Sequence, residues 1–109
     1  FAAGHPISHD VTTRIADGMA CRTPVPEALA MIRSGADHIV RVSDAEIEDA
    51  MRVLFTDTHN VAEGAGAAAL AALIKERDAM SGRRVAVVLS GGNVDRDVFT
   101  RVLSGSPPA

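Results

Sequence analysis

Aromatic side chains are nearly missing from this 109-residue chain, which has three Phe, no Trp and no Tyr. Flat rings are the stacking platforms for unpaired bases, and a net charge of −3 offers phosphate no attraction, so both features argue against a nucleic-acid partner. Any core must instead be filled by Ala, Val, Leu, Ile and Met. Cysteine occurs once, at Cys21, so no disulfide can close within the chain, and a reducing cytoplasm is the expected compartment. Long hydrophobic runs are absent too. The longest, from about Ala65 to Ile74, is half of the roughly 20 residues that a membrane span needs, and no basic leader opens the chain, so neither a membrane nor a targeting signal is expected. Lysine also occurs once, as Lys75 in Ile74-Lys75-Glu76-Arg77, which reads as a solvated helix end. The first residue is Phe1 rather than Met, as in a chain that was processed, cut or taken from something longer.

What is present suits one ordinary domain with a modest core, since 47% of the residues are hydrophobic. Residues 1–13 have no period and carry Gly4 and Pro6, which predicts an irregular segment. Asp17-Gly18 lies between small and apolar residues and predicts a turn with positive φ or a close backbone approach. Pro26 suits the first turn of a helix that runs through Leu29 and Ile32 and stops at Gly35. Asp37 to Val42 alternates into a β-branched run and predicts a strand. Ser43-Asp44-Ala45-Glu46 is a capping box, and Ile47, Ala50, Met51, Leu54 and Phe55 follow it at the spacing of one buried helical stripe. A small-sided, Ala-rich helix is predicted from about Ala67 to Met80. Arg84 to Leu89 contains an unbroken apolar run of the kind seen in a parallel strand covered on both faces. Asp95 to Leu103 predicts a last helix, and residues 104–109 a tail. The fold class is therefore α/β with two strands, whose unpaired edges call for a sheet completed from elsewhere.

Open α/β sheets place ligands beyond the carboxyl ends of strands, which is where Ser90-Gly91-Gly92-Asn93 falls. The glycines admit close approach, and Ser90 offers a hydroxyl that both donates and accepts. An ordinary tight turn into a helix would read the same way. Glu63 precedes the Ala-rich helix, where the helix dipole favours a carboxylate by roughly 0.3–1 kcal/mol, so plain capping also accounts for it. Gly64-Ala65-Gly66-Ala67-Ala68-Ala69 fits a loose dinucleotide-binding pattern, but no convincing strand precedes it. The four histidines, His5, His9, His38 and His59, form no helical i, i+4 pair, and with a single cysteine they give no zinc framework, so no metal is expected. His5 and His9 flank Pro6 and read as solvated. Cys21 has no identifiable base to activate it and reads as a small buried hydrophobe.

Ile15-Ala16-Asp17-Gly18, Arg22-Thr23-Pro24, the helix start Val42-Ser43-Asp44-Ala45-Glu46-Ile47, Glu63-Gly64-Ala65-Gly66-Ala67 and Leu89-Ser90-Gly91-Gly92-Asn93 stand in the order and spacing found in threonine dehydratases and serine racemases. Over residues 12–103 the chain resembles the C-terminal part of such a fold-type-II pyridoxal-phosphate enzyme. The resemblance implies a tryptophan-synthase-beta-like large domain, of which residues 1–109 form a part with few parallel strands and packed helices. It implies pyridoxal phosphate as the cofactor, with Ser90 bonding the pyridine nitrogen, Gly91 beside it in the same turn, the backbone of Gly18 near the cofactor and Glu63 near the ring. It further implies an ammonia-lyase, working as a homo-oligomer of the full-length chain, that converts threonine or serine to a 2-oxo acid and ammonia. A hydroxyl does not force the ring nitrogen to be protonated as an aspartate would, and the weaker electron sink suits α-proton loss with fast departure of a β-hydroxyl. The family's Schiff-base lysine and its glycine-rich phosphate loop lie in N-terminal motifs that these residues do not contain. No catalytic residue is therefore expected here, and the chain alone is expected to be inactive. A serine racemase, a hydroxyaspartate dehydratase and a non-catalytic α/β binding or assembly module are the alternatives.

Overall fold

The structure, a computed structural model, describes residues 1–105. Its regular elements are four α-helices, α1 (Pro26–Gly35), α2 (Asp44–Thr58), α3 (Gly64–Lys75) and α4 (Arg96–Ser104), with a 3-10 turn at Asp17–Met19. Pro26 stands at the start of α1, where its fixed φ is already helical and its missing N–H is not needed. The capping box of α2 is formed as expected: Glu46 N donates to Ser43 Oγ at 3.2 Å, and Ser43 N donates to Glu46 Oε2 at 2.7 Å. A cap of this kind stabilises a helix by about 1 kcal/mol. The same Ser43 N–H, reinforced by Lys75, holds the Glu46 carboxyl below its usual range. His59, at φ 57°, ends α2 in the left-handed region and turns the chain toward α3.

The Ala-rich helix begins and ends earlier than its composition suggests. Glu63 already has the extended backbone of an N-cap, so the helix starts at Gly64 rather than about Ala67. It stops at Lys75 because Glu76-Arg77-Asp78 has no apolar face to lay on α2, and tight turns follow, with Met80 N donating to both Glu76 O and Arg77 O. The last helix includes Ser104, and Gly105 closes it at φ 73°, so most of the expected tail, 106–109, lies outside the described residues.

Neither segment expected to be a strand is paired. Among the described residues there is no β-strand: 37–42 and 84–89 lie outside regular structure, and the backbone groups of 84–90 make no hydrogen bond. A ladder needs a neighbour at its edge, and neither segment provides one for the other. The apolar side chains of the second run are consequently exposed, Val88 to 76%.

The core is made of small residues. Ala16, Ala62, Ala67, Ala68 and Ala71 cluster with Ile47, Ala50, Met51 and Val102, which brings α3 close against α2. The expected stripe on α2 holds for Ile47, Ala50 and Met51, but Phe55 is 38% exposed and instead meets Phe99 of α4 edge-on, with ring centroids 5.6 Å apart. Its side of α2 is a second face. Glu48 and Arg52 share it, reaching Arg101 and the Val102 carbonyl of α4.

Two clasps tie segment 37–42 to the far end of α3. Lys75 Nζ donates to Arg41 O at 2.8 Å and lies 3.3 Å from Glu46 Oε1. His38 has Nδ1 2.7 Å from Asp37 and Nε2 2.8 Å from Glu76, so only the doubly protonated ring satisfies both. These bonds, Asp37 first and Glu76 second, raise the His38 pKa above its ordinary 6.5. A pKa raised on folding contributes stability that is complete below the unfolded value and is lost as pH climbs through the folded value. Calorimetric melting should therefore show the native chain losing its advantage over His38→Asn as pH rises past the ordinary 6.5 and on through the raised folded value. A difference that does not change with pH would mean that the ring is not charged in this clasp.

Candidate functional site

Gly18, Glu63, Ser90 and Gly91 come from three separate parts of the chain and converge on the first turn of α3. Two glycines make this possible. A methyl group on Gly64 would lie 2.7 Å from the carbonyl carbon of Ile15, and one on Gly66 would overlap the Gly91 carbonyl oxygen and lie 3.1 Å from Gly91 N. These neighbours are backbone, which cannot step aside as a flexible side chain would. The 3-10 turn is thereby held against α3, with a methyl at Gly18 reaching to 3.1 Å from Ala65 Cβ. Gly18 thus serves as a point of close approach, and the positive φ that its sequence also allowed is not adopted.

Glu63 connects the helix to the Ser90–Asn93 turn twice. Its N–H donates to Gly91 O at 3.1 Å, and its half-buried carboxylate lies against the Cα of Gly91, so that a side chain at position 91 would displace it. Glu63 stands at the N-cap of α3, as the capping reading has it, but its side chain makes no hydrogen bond to the helix start. The carboxylate is instead turned toward the serine-bearing turn. Ser90 itself is exposed at the end of the unpaired apolar run.

Beside Glu63 opens a cleft of about 240 Å³, lined by Arg14, Asp17, Gly64, Asn93 and Asp95 among others. Its rim is fixed by Asp44, whose carboxylate accepts from Thr13 Oγ1 at 2.5 Å and from Arg14 N at 2.7 Å. The sequence presents Asp44 only as part of a helix start; its link to residue 14 spans thirty positions and leaves no local signal. Cys21, expected to be buried, is exposed. It follows the 3-10 turn in the wall of a second cleft of about 320 Å³, where no helix covers it. His5 and His9 are exposed, in keeping with their solvated reading. Lys75 ends α3, roughly 16 Å along the axis from Gly64, with its ammonium held by Arg41 O and Glu46. It has no access to the Ser90 turn.

A family described as pyridoxal-phosphate dependent enzyme matches residues 1–91. The chain is 37% identical over 90 residues to an L-threonine ammonia-lyase of Thermotoga maritima, covering 83% of this chain and 22% of that protein. It is 36% identical over 98 residues to a beta-hydroxyaspartate dehydratase of Paracoccus denitrificans, covering 89% and 30%, and 35% identical over 97 residues to a catabolic L-threonine dehydratase of Escherichia coli, covering 87% and 30%. This chain belongs to the family of pyridoxal-phosphate dependent enzymes. It spans between 22% and 30% of the length of these three relatives.

The residues present fit one edge of that cofactor. Gly91 is seated between Gly66 and the Glu63 carboxylate, and beside it Ser90 is exposed and carries a neutral hydroxyl, a group of the kind that could meet a ring nitrogen. The single lysine of this chain, Lys75, is committed to Arg41 O and Glu46.

Gly66→Ala should destabilise the complete protein by roughly 1–3 kcal/mol, the cost of forcing a methyl into a packed contact. Gly35→Ala, at a helix end with nothing within 4 Å, should be neutral or stabilise by up to about 1 kcal/mol. Equal effects of the two substitutions in denaturant titrations would contradict the close approach of Gly66 and Gly91.

Proposed function

We propose that this chain forms the ring-nitrogen side of the cofactor site in a fold-type-II ammonia-lyase, which converts a β-hydroxy amino acid to a 2-oxo acid and ammonia. The observation that carries this reading is the docking of the Ser90-Gly91 turn on the first turn of α3, with the Glu63 carboxylate against Gly91 and Gly18 against Ala65. The substrate class rests on the relatives: L-threonine and β-hydroxyaspartate, which their names record, both carry a hydroxyl on the β-carbon. On this reading segments 37–42 and 84–89 are parallel strands of a sheet that other parts of the enzyme complete, and the enzyme works as a homo-oligomer in the cytoplasm. No helix among the described residues is long and apolar enough to cross a membrane.

Pyridoxal phosphate supplies the electron sink for the pair left on Cα when the α-proton departs. The contribution of this chain is to set the strength of that sink. Ser90 would meet the pyridine nitrogen with a neutral hydroxyl, which keeps its own proton and carries no negative charge to stabilise a protonated ring. Gly18 and Gly91 would let the backbone come close to the ring, and Glu63 keeps the Ser90 turn in place through Gly91. A modest sink favours prompt loss of the β-hydroxyl over prolonged storage of charge on the ring.

In the complete protein, Ser90→Ala should cost a hydrogen bond of roughly 0.5–1.5 kcal/mol in cofactor affinity and lower turnover by a larger factor. Ser90→Asp should reverse the electronic argument, since a carboxylate favours the protonated ring. It should shift the cofactor absorbance to longer wavelength during turnover and slow elimination. Full activity in the alanine variant with an unchanged spectrum in the aspartate variant would reduce Ser90 to a turn residue. Borohydride treatment of the 109-residue chain mixed with pyridoxal phosphate should leave no stoichiometric adduct on Lys75; such an adduct would contradict the commitment of its ammonium to Arg41 and Glu46.

A further inference from the structure

Glu48 is the charged residue buried in the described part of the chain, 5% exposed, and the site above makes no use of it. Its Oε1 lies 2.9 Å from Arg101 Nη1, an ion pair by distance in which that buried oxygen accepts no aligned hydrogen bond. Replacing such a pair by apolar residues is often neutral or stabilising, so its presence is better explained by the geometry it imposes than by the stability it adds.

That geometry concerns α4, which packs on α2 and on no other helix among the described residues. Val102 is buried in the core and Phe99 meets Phe55 edge-on, but apolar contacts of this kind tolerate a helix that slides or turns about its axis. Two polar links remove that freedom: Arg52 Nη1 donates to Val102 O at 2.8 Å, and Arg101 meets Glu48. A short, stiff connection leads back from α4 to Ser90, with Val94 N donating to Gly92 O at 3.0 Å and the Cα of Gly92 close against the Val61 carbonyl. On the other side of Ser90, residues 84–90 make no backbone hydrogen bond. Within this chain the placement of Ser90 is therefore inherited from α4 and from the bond between Glu63 N and Gly91 O.

We propose that Glu48 is a positioning residue for Ser90, acting through Arg101 and the register of α4 on α2. This inference rests on the placement of Ser90 at the ring-nitrogen edge proposed above.

The test is a double-mutant cycle in the complete protein, read as the Kd for pyridoxal phosphate well below the melting temperature. Ser90→Ala should raise the Kd about 2–10-fold, the range of one lost hydrogen bond. Glu48→Gln should raise it by a similar factor, and the double variant should be no worse than either single one, because both remove the same contact. Hydrogen exchange supplies a second readout. Glu48→Gln should speed exchange of the Glu63 amide, which donates to Gly91, and leave the Ala67 amide, bonded within α3, unchanged. Effects that multiply in the double variant, an unchanged Kd in Glu48→Gln, or equal acceleration of both amides would make Glu48 a purely structural residue and overturn the proposal. A silent Ser90→Ala sinks the ring-edge reading itself, and the inference with it. Should Glu48→Gln fail to fold, Glu48→Leu combined with Arg101→Leu keeps the contact buried while removing its register, and is judged by the same outcomes.

Discussion

Two backbone segments approach the first turn of α3 so closely that neither position 64 nor position 66 has room for a methyl group. Each glycine in a helix costs roughly 0.5–1 kcal/mol relative to alanine, a loss the rest of the structure has to offset. It does so with contact. Ala16, next to the carbonyl that crosses Gly64, is buried with Ala67, Ala68 and Ala71, and the turn that crosses Gly66 is hydrogen-bonded to Glu63. One helix terminus thus seats both the 3-10 turn bearing Gly18 and the turn bearing Ser90, so elements more than seventy residues apart in sequence share one reference point. Moving the start of α3 would move all of them together.

The opposite end of α3 is held differently. Lys75 bridges Arg41 O and Glu46, while His38 bridges Asp37 and Glu76, and these groups are substantially exposed. Exposed ion pairs contribute little to stability, because water screens them and two side chains must be ordered to form each one. Their effect lies in order rather than strength. Segment 37–42 has no ladder to define its course, and the two clasps fix it at two points against the helix. The alanine-rich contact between α2 and α3 carries the fold, and the polar clasps decide where the intervening chain runs.

Features governed by neighbouring residues were legible in the sequence. The Ser43–Glu46 capping box, the Pro26 start and the Gly35 stop are local matters of donors, acceptors and φ, and all three stand in the structure where the sequence places them. The Glu63-Gly64-Ala65-Gly66 and Ser90-Gly91-Gly92-Asn93 motifs were legible too, but only as two turns; their contact is a tertiary fact that neither motif states. Phe55 and Glu48 escaped a reading by helical period, because α2 has two partners and a single apolar stripe describes just one of them. A polar residue between stripe positions is normally solvated, and it takes Arg101, more than fifty residues on, to bury Glu48. Cys21 was misplaced for the converse reason: its residue type favours burial, yet this chain brings no element over it.

The exposed apolar run before Ser90 and the polar clamp behind it bear on the same atom. Val85, Val87, Val88 and Leu89 are exposed and the backbone there is unpaired, a combination that monomeric domains avoid. On the reading proposed above, a neighbouring strand covers this run in the complete enzyme, and a ladder ending at Leu89 would fix the direction in which the chain enters Ser90. The α2–α4 contact fixes the direction in which it leaves, and the Glu63–Gly91 bond fixes the point between. Two of these three restraints are internal to the chain, and the third belongs to the sheet. Completing the sheet and aiming the hydroxyl are then one event, which couples assembly of the large domain to the electronic tuning of its cofactor without requiring Ser90 to move on its own.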